Sequence, residues 1–373
     1  MSEIPDGLRY EATTSFVRVL DGLGCTLAIS VYMADRVVLV SAEGGRLFVY
    51  ACPFSRPMGM AIRRGNDEVR IAIATFQELV VLADAPLLAP ALPGHPDEYR
   101  HLLVPRATIY TGDIDAHDLV WLGDRLFVAN TRFSCIAEID ARNSFMPVWQ
   151  PPFITRLMPE DRCHLNGLAA ANNAIVYATA LGSTDVARAW TEARQTGGVL
   201  LAVPGGAPVL EGLCLPHSPR VFDDRLYVLE SGTGRALEVD VERRAARTLV
   251  ELPGFTRGLD RLGDILFVGT SRVRQRPGAA LPVAERHGEL VCGIAAIDRK
   301  AGRVLGWLRF DDPLEEIFDV RVLPKIRRGA MLGVDSEMHR RALVLPGRAF
   351  WGEPVGTNTA TEATSHGNEE GVS

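Results

Sequence analysis

Three short stretches, AHDLVWL from residue 116, HLNGLAA from 164 and PHSPRVF from 216, each carry a histidine near the start of an apolar run. Imidazole is the commonest protein ligand for transition metals near neutral pH, and three histidines with an open fourth position form a known catalytic zinc arrangement. A zinc-like divalent ion held by His117, His164 and His217 would polarise a carbonyl or lower the pKa of a bound water. Each histidine taken alone reads equally well as a strand cap or a channel filler. His217 stands one residue out of step with the other two, so on a regular strand it would point the opposite way, unless Ser218-Pro219 disturbs the pleat.

Other residues near these histidines complete a candidate constellation. Arg56, Arg132, Arg220 and Arg257 suit a carboxylate or phosphate through paired N–H donors, with Arg272 a further member and Asn166 as a neutral partner. Glu230 and Glu316 are candidates to move a proton if their surroundings raise the carboxyl pKa, and Asp118, beside His117, is grouped with them. The arginines and glutamates could instead pair with one another in a structural network. In TGDIDAHDLVW, Asp113 and Asp115 are read as loop residues that orient an imidazole. An EF-hand is rejected: the Asp-x-Asp start lacks the glycine at position six, where Asp118 stands, and has Asp124 where the loop needs glutamate. No GxSxG, GxxxxGK[ST], HExxH or strand-linked GxGxxG motif occurs.

Positioning these residues on one surface requires a repeat. GDRLFVANTRFSCIAEIDARN at 123–143 is echoed by DDRLYVLESGTGRALEVDVERR at 223–244, by GDILFVGTSRV with CGIAAIDRKAGRVLGWLRF across 263–310, and by ADRVVLVSAEGGRLFVYACPF at 34–54. Short β-branched and aromatic runs separated by Asp-Asp, Gly-Asp or Gly-Gly turns are strands joined by hairpins. Ahead of the hairpins a second short element recurs, with Met58, His117, Asn166, Ser218, Arg257 and Phe318 in one aligned column. Four-stranded units of this size cannot bury both faces alone and must stack around an axis until the ring closes. The expected fold is all-β: a single six-bladed β-propeller over 16–350, its ring closed by N-terminal strands near FVRVL or TLAISVYM. A pair of β-sandwiches is the second choice. Residues 1–15 are expected to form an arm and 351–373 a disordered tail, and STDVARAWTEARQTGG at 183–198 the one short helix. The short elements would be innermost strands, bringing the starts of the first strands and the ends of the second to one mouth of the channel.

Composition narrows the partners. The 373 residues are 47% hydrophobic and 23% charged, with a net charge of −6 and no extended basic run, so neither nucleic acid nor a membrane surface is expected. The polar start MSEIPDGLRYEATTS lacks the build of a secretory signal, and no apolar run is long enough to span a bilayer, which together read as cytoplasmic. Six scattered cysteines, without a CxxC pair, read as small buried hydrophobes in a reducing compartment; Cys163, beside His164, alone keeps a functional alternative.

TGDIDAHDLVW, NTRFSCIAEID, PPFITRLMPEDRCHLNGLA, LPHSPR, LPGFTRGLD and EEIFDVRVLP resemble an uncharacterised bacterial family, a domain of unknown function, over roughly residues 25–325. More distantly, the NGLA-type inner strands are similar to those of the gluconolactonase and regucalcin superfamily, which implies a six-bladed propeller with a divalent metal in its channel. The ligands there are Glu, Asn and Asp, where histidines dominate here. A three-histidine set around a propeller axis is similar to the zinc site of peptidyl-hydroxyglycine lyase. The expectation is a metal-dependent lyase, isomerase or lactonase-type hydrolase for a small polar, anionic molecule. The alternatives are a non-catalytic propeller binding a protein or glycan, and a metal-free propeller lyase or cyclase. Oligomeric state stays open.

Overall fold

The computed structural model describes residues 8–65, 68–272, 280–311 and 314–353. Six antiparallel sheets of four main strands surround one axis, giving a six-bladed β-propeller. Their innermost strands are Asp319–Pro324, Met60–Arg64, Ala116–Leu122, Leu165–Ala171, Pro216–Phe222 and Phe255–Leu262. Each packs against the next, and Asp319–Pro324 against both Phe255–Leu262 and Met60–Arg64, so the ring is complete. Near the axis the backbones crowd. A Cβ on Gly59 would lie 2.6 Å from the carbonyl oxygen of His117, and one on Gly258, at φ 81°, 2.5 Å from the Val320 nitrogen.

The ring closes in a mixed blade. Cys25–Val31, the TLAISV segment, pairs along its length with Asp319–Pro324, and Arg36–Glu43 and Arg46–Pro53 complete that sheet outward. FVRVL does not form the closing strand expected of it. It lies in a helix, Thr14–Leu23, whose Thr13 hydroxyl accepts from the Phe16 N–H at 3.2 Å and whose Gly24 ends it at φ 60°. Phe16 and Leu20, four residues apart, form its buried stripe, and Phe16 meets Phe267 edge-on at 6.3 Å. Conversely, 183–198 forms only a 3-10 turn at Ala189–Ala193, because contacts at the channel mouth fix Trp190 and override helix propensity.

Two additions border the blades. Tyr10–Ala12, from the expected arm, adds a fifth strand to the blade of Phe255–Leu262, and Gly329–Met331 pairs in parallel with His101–Tyr110. Ala342–Leu345 and Arg348–Trp351 form a separate hairpin, so the expected tail falls at 354–373, outside the described residues. Apolar side chains of facing blades fill the spaces between sheets, as in the cluster of Leu27, Ile29, Phe267, Ile294, Leu308 and Val322. All six cysteines are free and buried, and burial pushes the Cys163 thiol up to about 12, which removes the functional alternative for it. No helix among the described residues is long and apolar enough to cross a membrane.

Candidate functional site

Opposite Asn130, Glu230 and Thr270 on the second strands stand Ala116, Pro216 and Thr256, so the next residues, His117, His217 and Arg257, are structural equivalents. The aligned column therefore holds His217, not Ser218. AHDLVWLGDRLFVAN and PHSPRVFDDRLYVLE align without a gap, and the same one-residue register shift follows the start of the inner strand in the blades of His117, His217 and Arg257, so the three share one register. His217 thereby joins His117 and His164 in lining a cavity of about 340 Å³ at one mouth of the ring. Arg257 and Glu316 share that lining, and so do Arg194, Ser271, Arg272 and Glu315.

Each imidazole is held by its Nδ1. The Thr131 hydroxyl gives its proton to the Leu165 carbonyl at 2.5 Å, so His117 Nδ1 must donate to that hydroxyl at 2.8 Å and to the Asp115 carbonyl at 3.1 Å. His217 repeats the solution, donating to the Leu215 carbonyl and the Ser231 hydroxyl, both at 2.9 Å. His164 has a different partner: both Asp161 carboxylate oxygens stand 3.0 Å from its Nδ1, and one also accepts from the Trp190 indole at 3.1 Å. These acceptors assign a proton to Nδ1 of each ring, which leaves Nε2 for the cavity. The His117 and His164 rings meet edge-on at 4.7 Å, and Trp190 packs over His164 at 4.4 Å.

Burial sets the charge. It drives the His117 pKa down to about 4, with His164 and the Arg257 guanidinium adding to the fall and Asp115 opposing it. His217 is also lowered well below its ordinary value, first by burial and then by Arg257. Burial alone would raise the Asp115 carboxyl, but His117, His164 and Arg257 outweigh it and hold it low. Arg257 is 9% exposed, its guanidinium 3.4 Å over the Phe318 ring, with one hydrogen bond to Glu316 at 3.3 Å. Most of its donors are thus left for a ligand.

The structure separates the remaining candidates from this cavity. Asp118 and Arg220 lie on the axis in an ion network. Asp118 accepts from Arg220 at 2.7 and 3.1 Å and from Arg321 at 2.7 Å, while Arg321 also bonds Asp319 at 2.9 Å. Asn166 is spent between the Pro216 carbonyl and the Thr179 hydroxyl, at 3.0 and 2.7 Å. Glu230 accepts from the Cys214 N–H at 3.2 Å and the Thr233 hydroxyl at 2.7 Å. Arg132 pairs with Asp113, and exposed Arg56 lies over Phe76 at 4.7 Å. None of the six lines the cavity.

Sequence reasoning passed over Asp161 and Trp190. Asp161 stands three residues before His164, a spacing that could have signalled an imidazole partner, whereas Trp190 reaches the site from the outer part of the blade and gives no local signal. Among the described residues, no group of three or more His, Cys, Asp or Glu is arranged to hold a metal ion.

Comparison with known proteins supports the fold and carries no activity. No curated protein matches the sequence. A chain in the crystal structure of a nidogen/laminin complex is 10% identical with a TM-score of 0.51, covering 81% of this chain and 100% of its own. A Thermus thermophilus protein described as an oxidoreductase (glucose dehydrogenase) is 16% identical over 82% of this chain and 100% of its own, at a TM-score of 0.42. Residues 14–332, from the first helix through the closing strand, match a single family, and the chain belongs to it: Domain of unknown function (DUF4915).

Proposed function

We propose that the cavity is the active site of a metal-dependent enzyme for a small anionic molecule, acting by hydrolysis, elimination or isomerisation. The observation that supports this is the common treatment of His117, His164 and His217: all three commit Nδ1 to an oxygen and keep Nε2 for the cavity. Metal-ligating histidines are oriented in this way, and neutral imidazole is the form that binds metal. The donor set therefore fits a divalent ion such as zinc, although the rings have to draw together to share one. When bound, such an ion would act as a Lewis acid or activate water.

The chain's own groups then divide the work. Arg257 binds the anionic group with its unengaged donors, and Glu316, beside it, takes or returns a proton. Asp161 fixes the orientation of His164. The six free cysteines suit a cytoplasmic setting. A second reading, a metal-free lyase or cyclase, rests on Asp161: a carboxylate on Nδ1 would also let His164 serve as the base without an ion.

Elemental analysis of the purified protein, together with thermal shifts on adding zinc, cobalt or manganese, tests the first reading. One ion per chain and a higher Tm are expected, both lost in a His117→Ala/His164→Ala variant. A protein that takes up no ion and shows no shift would leave the metal-free reading in its place.

A further inference from the structure

The walls of the cavity divide by chemistry. Met33, Leu181, Trp190, Leu215, Phe255 and Leu281 supply the apolar part. Among the described residues, the polar part carries three guanidinium groups, of Arg194, Arg257 and Arg272, against the carboxylates of Glu315 and Glu316. Below the cavity the axis is filled by the paired Asp118, Arg220, Asp319 and Arg321 side chains, which close its inner end among the described residues. A ligand seated there meets these walls.

We propose that the substrate is a monocarboxylate carried on an apolar or aromatic skeleton, with the carboxylate on Arg257 and the skeleton against the apolar wall. Arg257 qualifies as the anchor because it is nine-tenths buried, is held flat by Phe318, and spends one hydrogen bond on Glu316. A planar carboxylate matches the paired donors of guanidinium and gains most where water is excluded. A polyhydroxylated acid of the sugar-lactone type fits poorly, since the apolar side chains offer no partners to hydroxyls stripped of water. The cavity volume of about 340 Å³ lies at the small end of ligand sites, the size of a molecule with one ring or a short chain. This inference rests on the cavity being the functional site and does not depend on the metal.

Calorimetric titration of the full chain with phenylacetate, gluconate and benzyl alcohol, first as purified and then after chelation and separately with zinc, tests it. Phenylacetate should bind at least about tenfold more tightly than gluconate, which shares its charge, and than benzyl alcohol, which shares its ring. Arg257→Met should weaken phenylacetate about tenfold or more and leave benzyl alcohol within about twofold; if that variant does not fold, the comparison of the three ligands on the native chain still decides. Gluconate binding as well as phenylacetate, or benzyl alcohol binding as well, overturns the proposal. Preferential phenylacetate binding that survives chelation supports the substrate class with Arg257 as its anchor and leaves the metal reading to the ion analysis. Preference that appears only with zinc supports the metal reading and overturns Arg257 as the anchor.

Discussion

The inner strands build two polar regions at different depths, the histidine-lined mouth and the ionic plug beneath it, and they differ in how completely their donors and acceptors are used. In the plug, Asp118 accepts from two arginines and also from the backbone N–H groups of Leu119 at 3.0 Å and of Leu168, in the next blade, at 2.9 Å. Asp319 and Asp260 do the same for neighbouring inner strands, through Met60 and Val322 at 2.9 and 2.8 Å. Every charge there is answered within the scaffold, and the carboxylates stitch blade to blade. At the mouth, three imidazoles answer only one nitrogen each and Arg257 answers little of its fork. Residue type does not separate scaffold from site, since both regions contain acids and bases on the same strands. The unspent bonding capacity does.

That contrast can be broken at several points. Asp118→Ala should have the largest effect, a loss of about 3–5 kcal/mol in urea unfolding, because buried Arg220 would lose its hydrogen-bonded carboxylate and Arg321 one of its two. A loss under about 1 kcal/mol would deny the plug its structural role. Acid should act next, on the mouth. In metal-free protein, His117 ordinarily titrates near 6.5 when unfolded and at about 4 when folded, so between those values the unfolded chain binds more protons. Stability present above pH 6.5 should therefore fall, by about 3 kcal/mol, as pH drops towards 4. His117→Gln should lessen that slope and leave the part due to His217, which burial also lowers, and an unchanged slope would remove His117 as a source.

Smaller effects sharpen the boundary. Glu230→Gln should cost about 1 kcal/mol through the Cys214 and Thr233 bonds and leave ion and phenylacetate binding as they were. A tenfold loss of binding would return Glu230 to the site. Arg56→Ala, at an exposed position, should change stability by less than about 0.5 kcal/mol and binding not at all, as measured by thermal shift and titration.

The blades were legible because each hairpin writes the same local message, a charged turn between alternating apolar runs, and the message repeats. The helix at 14–23 was not, since FVRVL fits a strand by composition, although Thr13 and Gly24 stood at its ends as cap residues. At the mouth, His117, His164, His217, Arg257 and Glu316 could be found from strand starts alone. Asp118 and Arg220 were misgrouped with them because depth along the axis is not encoded by one-dimensional spacing: one residue beyond His117, a side chain already belongs to the plug. His217 was read out of register by aligning Ser218 with His117, although the turns GDR at 123–125 and DDR at 223–225 place His117 and His217 the same eight residues ahead of the second strand.

The closing blade has a consequence for how the molecule comes into being. Its inner strand, Asp319–Pro324, is nearly the last propeller segment to be synthesised, yet it pairs with Cys25–Val31, almost the first. Contacts so distant in sequence form late and slowly. Phe318, which supports Arg257, sits at the start of that strand, and the Ile317 backbone fastens to Ser271. Arg321, on the same strand, completes the plug. A nascent chain, or one cut short before residue 318, therefore has five blades and most of the mouth residues but neither a complete floor nor a seated anchor, so the ring itself acts as a checkpoint on competence.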